Sequence, residues 1–362
     1  MMVIIVLVVA LLVTTTKMKK KVMVGMSGGI DSSVTAYLLQ KEGYEVEGCY
    51  LKLHDRTDGY HEKNLEYIED VANFLGIKYH VLDLASEFTK EIYDYFVDSY
   101  LEGTTPNPCV KCNRQIKFGA MLDFAKSHGA SYLATGHYVK TDGEFLYEAD
   151  DKTKDQSYFL SQVDKDALPY MMFPLSERKK EDIVKFGAKL DVAYKKITEK
   201  NESQEICFVE TVYTDVVKRH ANIDIPGKVL DGNGNIVGEH KGYMHYTIGK
   251  RRGFTVHGAQ VPHFVTRLNP KDNTIVVGKK EKLEINEVKV ENLNMFIDKK
   301  EFNCNVKLRY RSTSTPCHVK IENNNTANII LNEPAFGVAA GQLAVFYKDE
   351  KVLGSGWIKQ TK

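Results

Sequence analysis

The chain has 362 residues, with 49 lysines and arginines, 48 aspartates and glutamates, and six cysteines. A chain of this length predicts two or three domains. The formal net charge of +1 excludes a polycation, so any nucleic acid must be held by local basic patches. Six cysteines without a regular spacing exclude a secreted disulfide scaffold and favour a reducing cytoplasm.

The first 17 residues differ from the rest of the chain, because 1–13 are almost wholly apolar. This run is shorter than the ~20 residues that a membrane-spanning helix needs, no basic residue precedes it, and no small-residue cleavage site comes after it. We therefore expect a strand-like or disordered extension rather than a membrane anchor. Since the sequence enters a strand directly after Met18, we expect the natural start at that methionine.

Strands and helices alternate over the first part of the chain. Hydrophobic periodicity predicts strands at 22–26, 44–53, 78–82 and 131–134, and helices at 32–41, 64–75, 87–101 and 115–128, with helical segments continuing towards residue 200. Alternation of this kind predicts an α/β fold with a doubly wound parallel sheet. We expect this first domain to occupy 18–212.

The composition changes after Cys207. Turn-forming residues and the basic cluster 250–252 predict a small central domain over 213–282, suited to binding RNA. Short alternating strands then predict a C-terminal β-barrel over 283–362. The strands of this barrel are expected at 306–310, 319–322, 327–331, 343–347 and 352–357.

A glycine-rich loop lies where the first strand ends and the first helix begins. Its two adjacent glycines leave amide hydrogens free to face phosphate, and the positive end of the next helix points at the same place. The alternative is a simple turn into the helix with a good N-cap. We expect ATP on this loop, which consists of Gly25, Met26, Ser27, Gly28, Gly29, Ile30, Asp31, Ser32 and Ser33.

The loop lacks the Gly-Lys-Ser or Gly-Lys-Thr step of a Walker loop, which disfavours ordinary γ-phosphate transfer. It resembles the loop of the PP-loop pyrophosphatases, also described as adenine nucleotide alpha hydrolase-like. That resemblance implies cleavage of ATP between the α- and β-phosphates and attachment of AMP to a carbonyl or amide oxygen. Asp31 is expected to orient Mg²⁺ or the loop itself.

Two cysteines occupy the segment 105–113, interpreted as a rigid loop directly before a helix. The helix N-terminus, Lys111 and Arg114 are expected to lower the pKa of Cys112, which makes it the candidate reactive thiolate. Cys207 is distant in sequence and is expected to be brought close by folding. The alternative for a CxxC pair is half of a zinc site, but the chain has no second CxxC. The other three cysteines are expected to be small buried hydrophobes: Cys49, Cys304 and Cys317.

Taken together, these motifs resemble the tRNA-uridine 2-sulfurtransferases, the bacterial MnmA and mitochondrial TrmU enzymes, over nearly all of the chain after Met18. The resemblance implies adenylation of the C2 oxygen of the wobble uridine in the tRNA anticodon loop, followed by its replacement with sulfur to give 2-thiouridine. The motifs that carry it are 25–33, 105–118, 134–138, 154–160, 206–208, 246–253, 309–311 and 341–346.

The resemblance also assigns roles to single residues. Cys112 would be the nucleophile and Cys207 the carrier of a persulfide, supplied by a donor such as a cysteine desulfurase or a relay protein. Leu51 and Gly136 would line the adenosine. Asn107, Pro108 and Cys109 would border the target base. The residues implied to contact tRNA are Lys154, Asp155, Gln156, Arg309, Tyr310, His137 and Gln342.

One position departs from the family pattern, because many members carry Asp where this chain has Cys109. A thiol cannot take over the acid/base role proposed for that carboxylate. The alternative to a persulfide route is an iron–sulfur cluster held by Cys109, Cys112 and Cys207, with one iron open to bind sulfide.

Two other functions compete with sulfur transfer. One is a PP-loop ligase such as an argininosuccinate or NAD synthetase, which needs no reactive cysteine pair. The other is an RNA-binding module with a relic nucleotide loop, which would not need an intact loop beside Cys112 and Cys207.

Overall fold

The computed structural model describes residues 19–54, 59–198 and 206–362. The predicted extension 1–17 and the proposed start at Met18 lie outside these residues. Within them, no helix is both long enough and apolar enough to cross a membrane.

A five-stranded parallel sheet forms the centre of the first part of the chain. Its order is β3-β2-β1-β4-β7, and every neighbouring pair is parallel. Since the order reverses direction between β1 and β4, this is the predicted doubly wound sheet, and the carboxyl ends of these two strands flank the usual ligand crevice. The strands of this region are β1 (Lys21–Gly25), β2 (Glu45–Lys52), β3 (Tyr79–Asp83), β4 (Tyr132–Ala134), β5 (Lys140–Thr141), β6 (Leu146–Tyr147) and β7 (Met171–Met172).

Helices cover both faces of the sheet, as the buried apolar strand β1 requires. Two of them run continuously through π-helical turns, at Thr89–Tyr93 within 85–101 and at Asn113–Ala120 within 108–127. The other helices are Ile30–Lys41, Tyr60–Leu75, Ser157–Leu160, the 3₁₀ helix Lys165–Tyr170, Lys180–Gly187, Val192–Thr198 and Tyr213–Lys218.

The helix that carries two of the cysteines was predicted to start at residue 115, which is wrong. It begins at Pro108, whose fixed φ suits the first helical position, and continues to Ser127. Cys112 is therefore inside the helix rather than in a loop before it.

The middle of the chain forms a separate four-stranded sheet with the order β10-β11-β8-β9. Its strands are β8 (Gly227–Leu230), β9 (Ile236–His240), β10 (Phe264–Asn269) and β11 (Thr274–Gly278). Short 3₁₀ helices accompany them at Tyr243–His245, Pro270–Asp272 and Lys280–Leu283.

The last part of the chain is the predicted barrel, closed by pairing of its first strand with its last. Arg309 and Tyr310, expected in a strand, lie in the connection after Lys307. The barrel strands are β12 (Glu284–Met295), β13 (Glu301–Lys307), β14 (Thr315–Asn323), β15 (Thr326–Phe336), β16 (Leu343–Lys348) and β17 (Lys351–Thr361).

The barrel and the first sheet share one hydrophobic core. Met23 of β1 and Phe118 of the cysteine-bearing helix belong to the same buried cluster as Leu343, Val345 and Tyr347 of β16. The hairpin of β5 and β6 also joins the barrel sheet, where Tyr147 pairs with Lys351. The position of the barrel relative to the first sheet is therefore fixed by packing.

Three cysteines belong to strands of these sheets. Cys49 in β2 and Cys317 in β14 are buried, as expected. Cys304 in β13 is only partly buried, which differs from the expectation, because it packs against the barrel core from outside the fully buried cluster. It pairs with Cys317 across the two strands, with the Sγ atoms 3.6 Å apart.

Candidate active site

The glycine-rich loop occupies the carboxyl end of β1, directly before the helix Ile30–Lys41. Gly28 has a φ of +70° and lies so close to Asn64 that a Cβ there would be 3.0 Å from the Asn64 carbonyl oxygen. Only glycine fits both conditions without strain. The loop therefore places backbone amides and the positive end of a 12-residue helix at one point, an arrangement suited to phosphate.

The serines of the loop bond to the loop itself. The Ser32 hydroxyl donates to the Gly29 carbonyl at 3.0 Å, and it accepts from the Ser27 amide at 3.2 Å. The Ser33 hydroxyl donates to the same carbonyl at 3.0 Å. Met26 and Ile30 are buried in the core, so only their backbone groups can face a nucleotide.

Asp31 is held by two residues from other parts of the chain. Its Oδ1 accepts from the Tyr138 hydroxyl at 2.9 Å, and its Oδ2 lies 2.6 Å from Nζ of Lys180. With both oxygens engaged, the side chain fits the expected loop-orienting role better than a role as an Mg²⁺ ligand. No sequence pattern pointed to Lys180, a buried lysine that starts the helix Lys180–Gly187.

Gly136 and Leu51 both lie at the carboxyl edge of the sheet. A Cβ on Gly136 would be 2.8 Å from Cβ of Asp31 and 2.9 Å from the Ser32 amide nitrogen. Gly136 is therefore needed for close contact between the end of β4 and the loop. Leu51 is near the end of β2 and is partly buried between two hydrophobic clusters.

Folding brings Cys109, Cys112 and Cys207 into one neighbourhood. Cys207 is electrostatically coupled to both of the others, and Cys112 is coupled to Cys109. Cys112 is buried, whereas Cys109 and Cys207 are partly exposed. The predicted convergence of cysteines that are distant in sequence is present in the structure.

The expected low pKa of Cys112 is wrong. Burial raises the pKa of Cys112 to about 11 and that of Cys207 to about 12, and it also raises the pKa of Cys109. Two cations expected to counter this effect are engaged elsewhere: the Lys111 ammonium is 4.1 Å from the centre of the Tyr95 ring, and Arg114 pairs with Asp164. The three thiols are therefore protonated at neutral pH in this arrangement.

The cation that does act on the thiols is Lys117, which sequence reasoning missed. Its charge lowers the pKa of all three cysteines, against the larger effect of burial. Lys117 is five residues beyond Cys112 in the π-helical segment, where the repeat is i to i+5, so the two can share a face. The sequence shows that Lys117 follows Cys112 by five residues. This spacing indicates that the two side chains are close only if the helix is known to be π-helical.

Lys117 also contacts His137. The Lys117 ammonium donates to Nε2 of His137 at 3.4 Å, and Nδ1 of His137 is 2.8 Å from the Thr135 hydroxyl. Burial and the neighbouring lysine charge hold the pKa of His137 well below its usual value. His137 is therefore a neutral imidazole beside Lys117.

The segment before the cysteine helix is fixed by the barrel. The side-chain amide of Gln342 donates to the carbonyl oxygens of Thr105 at 2.9 Å and Pro106 at 3.1 Å. The Thr105 amide donates in turn to the Ala340 carbonyl at 2.9 Å. Gln342, implied to contact tRNA, is thus already occupied in positioning the approach to Asn107 and Pro108.

Asn107 and Pro108 form the N-terminal end of the cysteine helix. Both are buried, and the Asn107 side chain hydrogen-bonds Tyr158. The Tyr158 hydroxyl donates to the Leu343 carbonyl of the barrel at 3.1 Å. The end of this helix is therefore held from two sides.

The segment 154–156 has mixed surroundings. Asp155 is buried and accepts hydrogen bonds from the Ala149 amide and the Ser157 hydroxyl, so its carboxylate supports the fold instead of facing solvent. Gln156 uses its side-chain oxygen to accept from the Tyr138 amide at 3.0 Å. Lys154 is partly exposed. Of the three implied contact residues, Asp155 is the least available to RNA.

Arg309 and Tyr310 are at the rim of the same region. Tyr310 packs on Phe159, with ring centres 4.3 Å apart, and the Phe159 carbonyl accepts from the side-chain amide of Asn113 at 3.1 Å. Arg309 is exposed, and its Nη2 donates to the Phe336 carbonyl at 2.8 Å. Tyr310 is thus connected to the residue directly after Cys112.

An iron–sulfur cluster needs ligands arranged around a common centre. Within the residues that the structure describes, no group of three or more His, Cys, Asp or Glu side chains is arranged to hold a metal ion. The three cysteines as placed do not form the ligand set that the alternative iron–sulfur route needs.

A doubly wound parallel sheet with a glycine loop of non-Walker type defines a nucleotide-binding PP-loop protein of the HUP class. Three families match the chain in succession: the tRNA methyl transferase HUP domain at residues 20–211, the tRNA methyl transferase PRC-barrel domain at 214–279, and the aminomethyltransferase beta-barrel domain at 285–358.

Curated relatives narrow this class to one family. The tRNA-specific 2-thiouridylase MnmA 1 of Aliarcobacter butzleri is 81% identical over 94% of this chain and 99% of its own length. The tRNA-specific 2-thiouridylase MnmA of Campylobacter jejuni is 55% identical over 94% of this chain and 100% of its own. The chain belongs to the tRNA-specific 2-thiouridylase MnmA family.

The solved structures are less similar to this chain than these relatives are, in both sequence identity and coverage. A 4-thiouridine synthetase in an RNA complex with bound ATP is 17% identical, with a TM-score of 0.35 over 52% of this chain and 45% of that chain. A similarity of this size is too low to carry a functional comparison.

Proposed function

We propose that this enzyme adenylates the C2 oxygen of the wobble uridine in tRNA and replaces that oxygen with sulfur. Its membership of the 2-thiouridylase family supports this reaction. The observation that carries the proposal is the convergence of Cys109, Cys112 and Cys207 beside Lys117, in a chain whose first strand ends in a PP-loop. A small-molecule ligase with the same loop would not need that convergence.

In the first step, ATP binds on 25–33 with its phosphates against the backbone amides and the helix N-terminus. The uridine C2 oxygen attacks the α-phosphorus, the bond to the β-phosphate oxygen breaks, and pyrophosphate leaves. Mg²⁺, which accompanies the triphosphate, would neutralise part of its charge. The Asp31–Lys180 pair keeps the loop in position during this step.

In the second step, a persulfide on Cys207 attacks the activated C2 carbon, and AMP leaves with the oxygen. The Cys112 thiolate then attacks the Cys207 sulfur, so a Cys112–Cys207 disulfide forms while the former outer sulfur stays on the base. An external dithiol reduces this disulfide and resets the enzyme. Since burial keeps Cys112 protonated, its thiol must lose a proton before it attacks, and Lys117 is the charge that favours the thiolate.

The same reaction implies roles for the other parts of the chain. We propose that 18–212 performs catalysis, that 213–282 and 283–362 hold the tRNA, and that Arg309, Tyr310 and Lys154 contact it. A cysteine desulfurase or a relay protein would load Cys207 with sulfur. A tRNA substrate favours a cytoplasmic location.

The proposal is tested by measuring 2-thiouridine in bulk tRNA by mass spectrometry in a gene-deletion strain that carries plasmid-borne variants. Wild type should restore the nucleoside, Cys207→Ser and Cys112→Ser should not, and the control Cys304→Ser in the barrel should. Full thiolation with Cys207→Ser would refute the assignment of the sulfur carrier.

The route of the sulfur has its own test. Anaerobically purified protein should contain no stoichiometric iron and sulfide if a persulfide carries the sulfur. Iron and sulfide at stoichiometric levels in the wild type, lost on Cys109→Ala, would eliminate the persulfide route.

A further inference from the structure

A basic cleft, defined by Lys250, Lys280, Arg309, Phe264 and Phe336, lies where the middle sheet meets the barrel. Its volume is about 380 Å³. That size is within the range of pockets that take small organic ligands, and it is large enough for a nucleotide unit. The cleft includes no cysteine and no part of the PP-loop, so it is a second site.

The charges in the cleft come from three separate segments, and all three side chains are exposed. The Lys250 ammonium donates to the His245 carbonyl at 2.6 Å, and Arg309 donates to the Phe336 carbonyl. In the described part of the chain, no ion pair joins Lys250, Lys280 or Arg309 to a carboxylate. Carbonyl oxygens therefore hold Lys250 and Arg309 in place without neutralising their charge, which remains available to an anion.

Aromatic rings complete the cleft. Phe336 ends β15 with 41% of its surface exposed, unusually high for a phenylalanine, and the Lys280 ammonium is 5.6 Å from its ring centre. Phe264 begins β10 on the other side. Exposed rings beside cations are the combination that holds an unpaired nucleotide, with the base against the ring and the phosphate on the charges.

The backbone forms a narrow floor between the two units. Gly249 and Gly337 both have positive φ, and a Cβ on either would lie 3.6–3.7 Å from the Cα of the other. Arg309 is next in sequence to Tyr310, which packs towards the cysteine helix through Phe159. The loop that carries Arg309 therefore extends from the cleft towards the cysteine helix.

We propose that this cleft holds one unpaired nucleotide of the tRNA substrate outside the reacting base, with its phosphate on Lys250, Lys280 and Arg309 and its base against Phe336. This inference rests on the proposed function, because it requires tRNA to be the substrate. Bridging the middle sheet and the barrel, the bound nucleotide orients both units on the RNA.

The experiment measures the affinity of the full-length enzyme for unmodified tRNA as a function of salt. Lys280→Gln should weaken binding about three- to tenfold and reduce the slope of log K against log salt by about one, because one phosphate contact is lost. The matched control is Lys299→Gln, an exposed lysine between β12 and β13, which should leave both quantities unchanged.

The base contact is tested separately. Phe336→Ala should weaken binding about tenfold without changing the salt slope, and Phe336→Tyr should restore it, because tyrosine presents the same ring face. A variant that merely destabilises the barrel would unfold at a lower denaturant concentration, whereas Phe336→Ala should unfold as wild type does if the ring acts only on RNA.

The outcomes distinguish the two proposals. If wild-type enzyme binds no tRNA, the proposed function fails. If wild type binds tRNA but Lys280→Gln behaves as Lys299→Gln does, the cleft proposal alone is overturned. If Lys280→Gln loses affinity only for inorganic phosphate, the cleft is an anion site unrelated to RNA and the proposal is overturned as well.

Discussion

The PP-loop and the cysteine site are built in opposite ways. The loop takes its shape mainly from hydrogen bonds among residues 27–33 and from the positive φ of Gly28. The cysteine site is assembled from Cys207, the helix 108–127 and a barrel segment more than 200 residues away. ATP binding therefore depends mainly on local structure, whereas sulfur transfer depends on how distant parts of the chain pack.

The largest effect is expected where the two regions meet. In Gly136→Ala the new Cβ would press on Asp31 and on the backbone of Ser32, so the loop must shift. We expect ATP to bind at least tenfold more weakly, which is about 1.4 kcal/mol, measured by calorimetry. The control Gly232→Ala, where nothing lies within 4 Å, should bind as wild type does. Unchanged affinity in Gly136→Ala would show that this contact does not shape the loop.

A second substitution is expected to affect the cysteine site more than the PP-loop. Gln342→Ala removes two hydrogen bonds to the segment before the cysteine helix and should lower the free energy of unfolding by about 2 kcal/mol. Thiolation should fall much more than ATP binding, since the hydrogen bonds within the loop join residues 27–33 to one another and not to Gln342. Denaturant unfolding and the two assays check this, with the exposed Gln360→Ala as control. An equal loss of both activities would contradict the separation.

The pH dependence of the thiols gives a third test. Because the pKa of Cys112 is about 11 and that of Cys207 about 12, their thiolate fractions should rise about tenfold for each pH unit from about 7 to 9. The rate of alkylation by iodoacetamide, resolved by peptide mapping of the RNA-free enzyme, should rise in proportion. A plateau below about pH 8 would mean that the thiols ionise more readily than their burial implies.

The smallest effect concerns Lys117. A cation favours the thiolate, so Lys117→Gln should raise the pKa of all three cysteines further and slow their alkylation several-fold at about pH 8. Lys126→Gln, whose ammonium sits 3.7 Å from the Tyr170 ring centre, is the control on the same helix. Equal alkylation rates in the two variants would show that the charge of Lys117 does not affect the pKa of the cysteines.

The doubly wound sheet, the PP-loop and the barrel could be predicted from the amino-acid sequence alone, because each depends on short-range periodicity and on glycines at fixed places. The motifs around Cys109, Cys112 and Cys207 singled out these three residues in the same way. The sheet, the loop and the barrel are predictable because the sequence patterns that indicate them, namely hydrophobic periodicity and turn glycines, extend over only a few residues.

The state of those cysteines, in contrast, is set by tertiary packing. Continuation of the helix back to Pro108 and its π-helical turns placed Cys112 in the interior, where burial outweighs the helix N-terminus and raises the pKa. The roles of Lys117, Lys180 and Gln342 likewise come from contacts across 5, 149 and 237 residues, respectively. The desolvation of a side chain and its long-range contacts depend on which residues the folded chain packs around it. A local sequence pattern does not specify those residues.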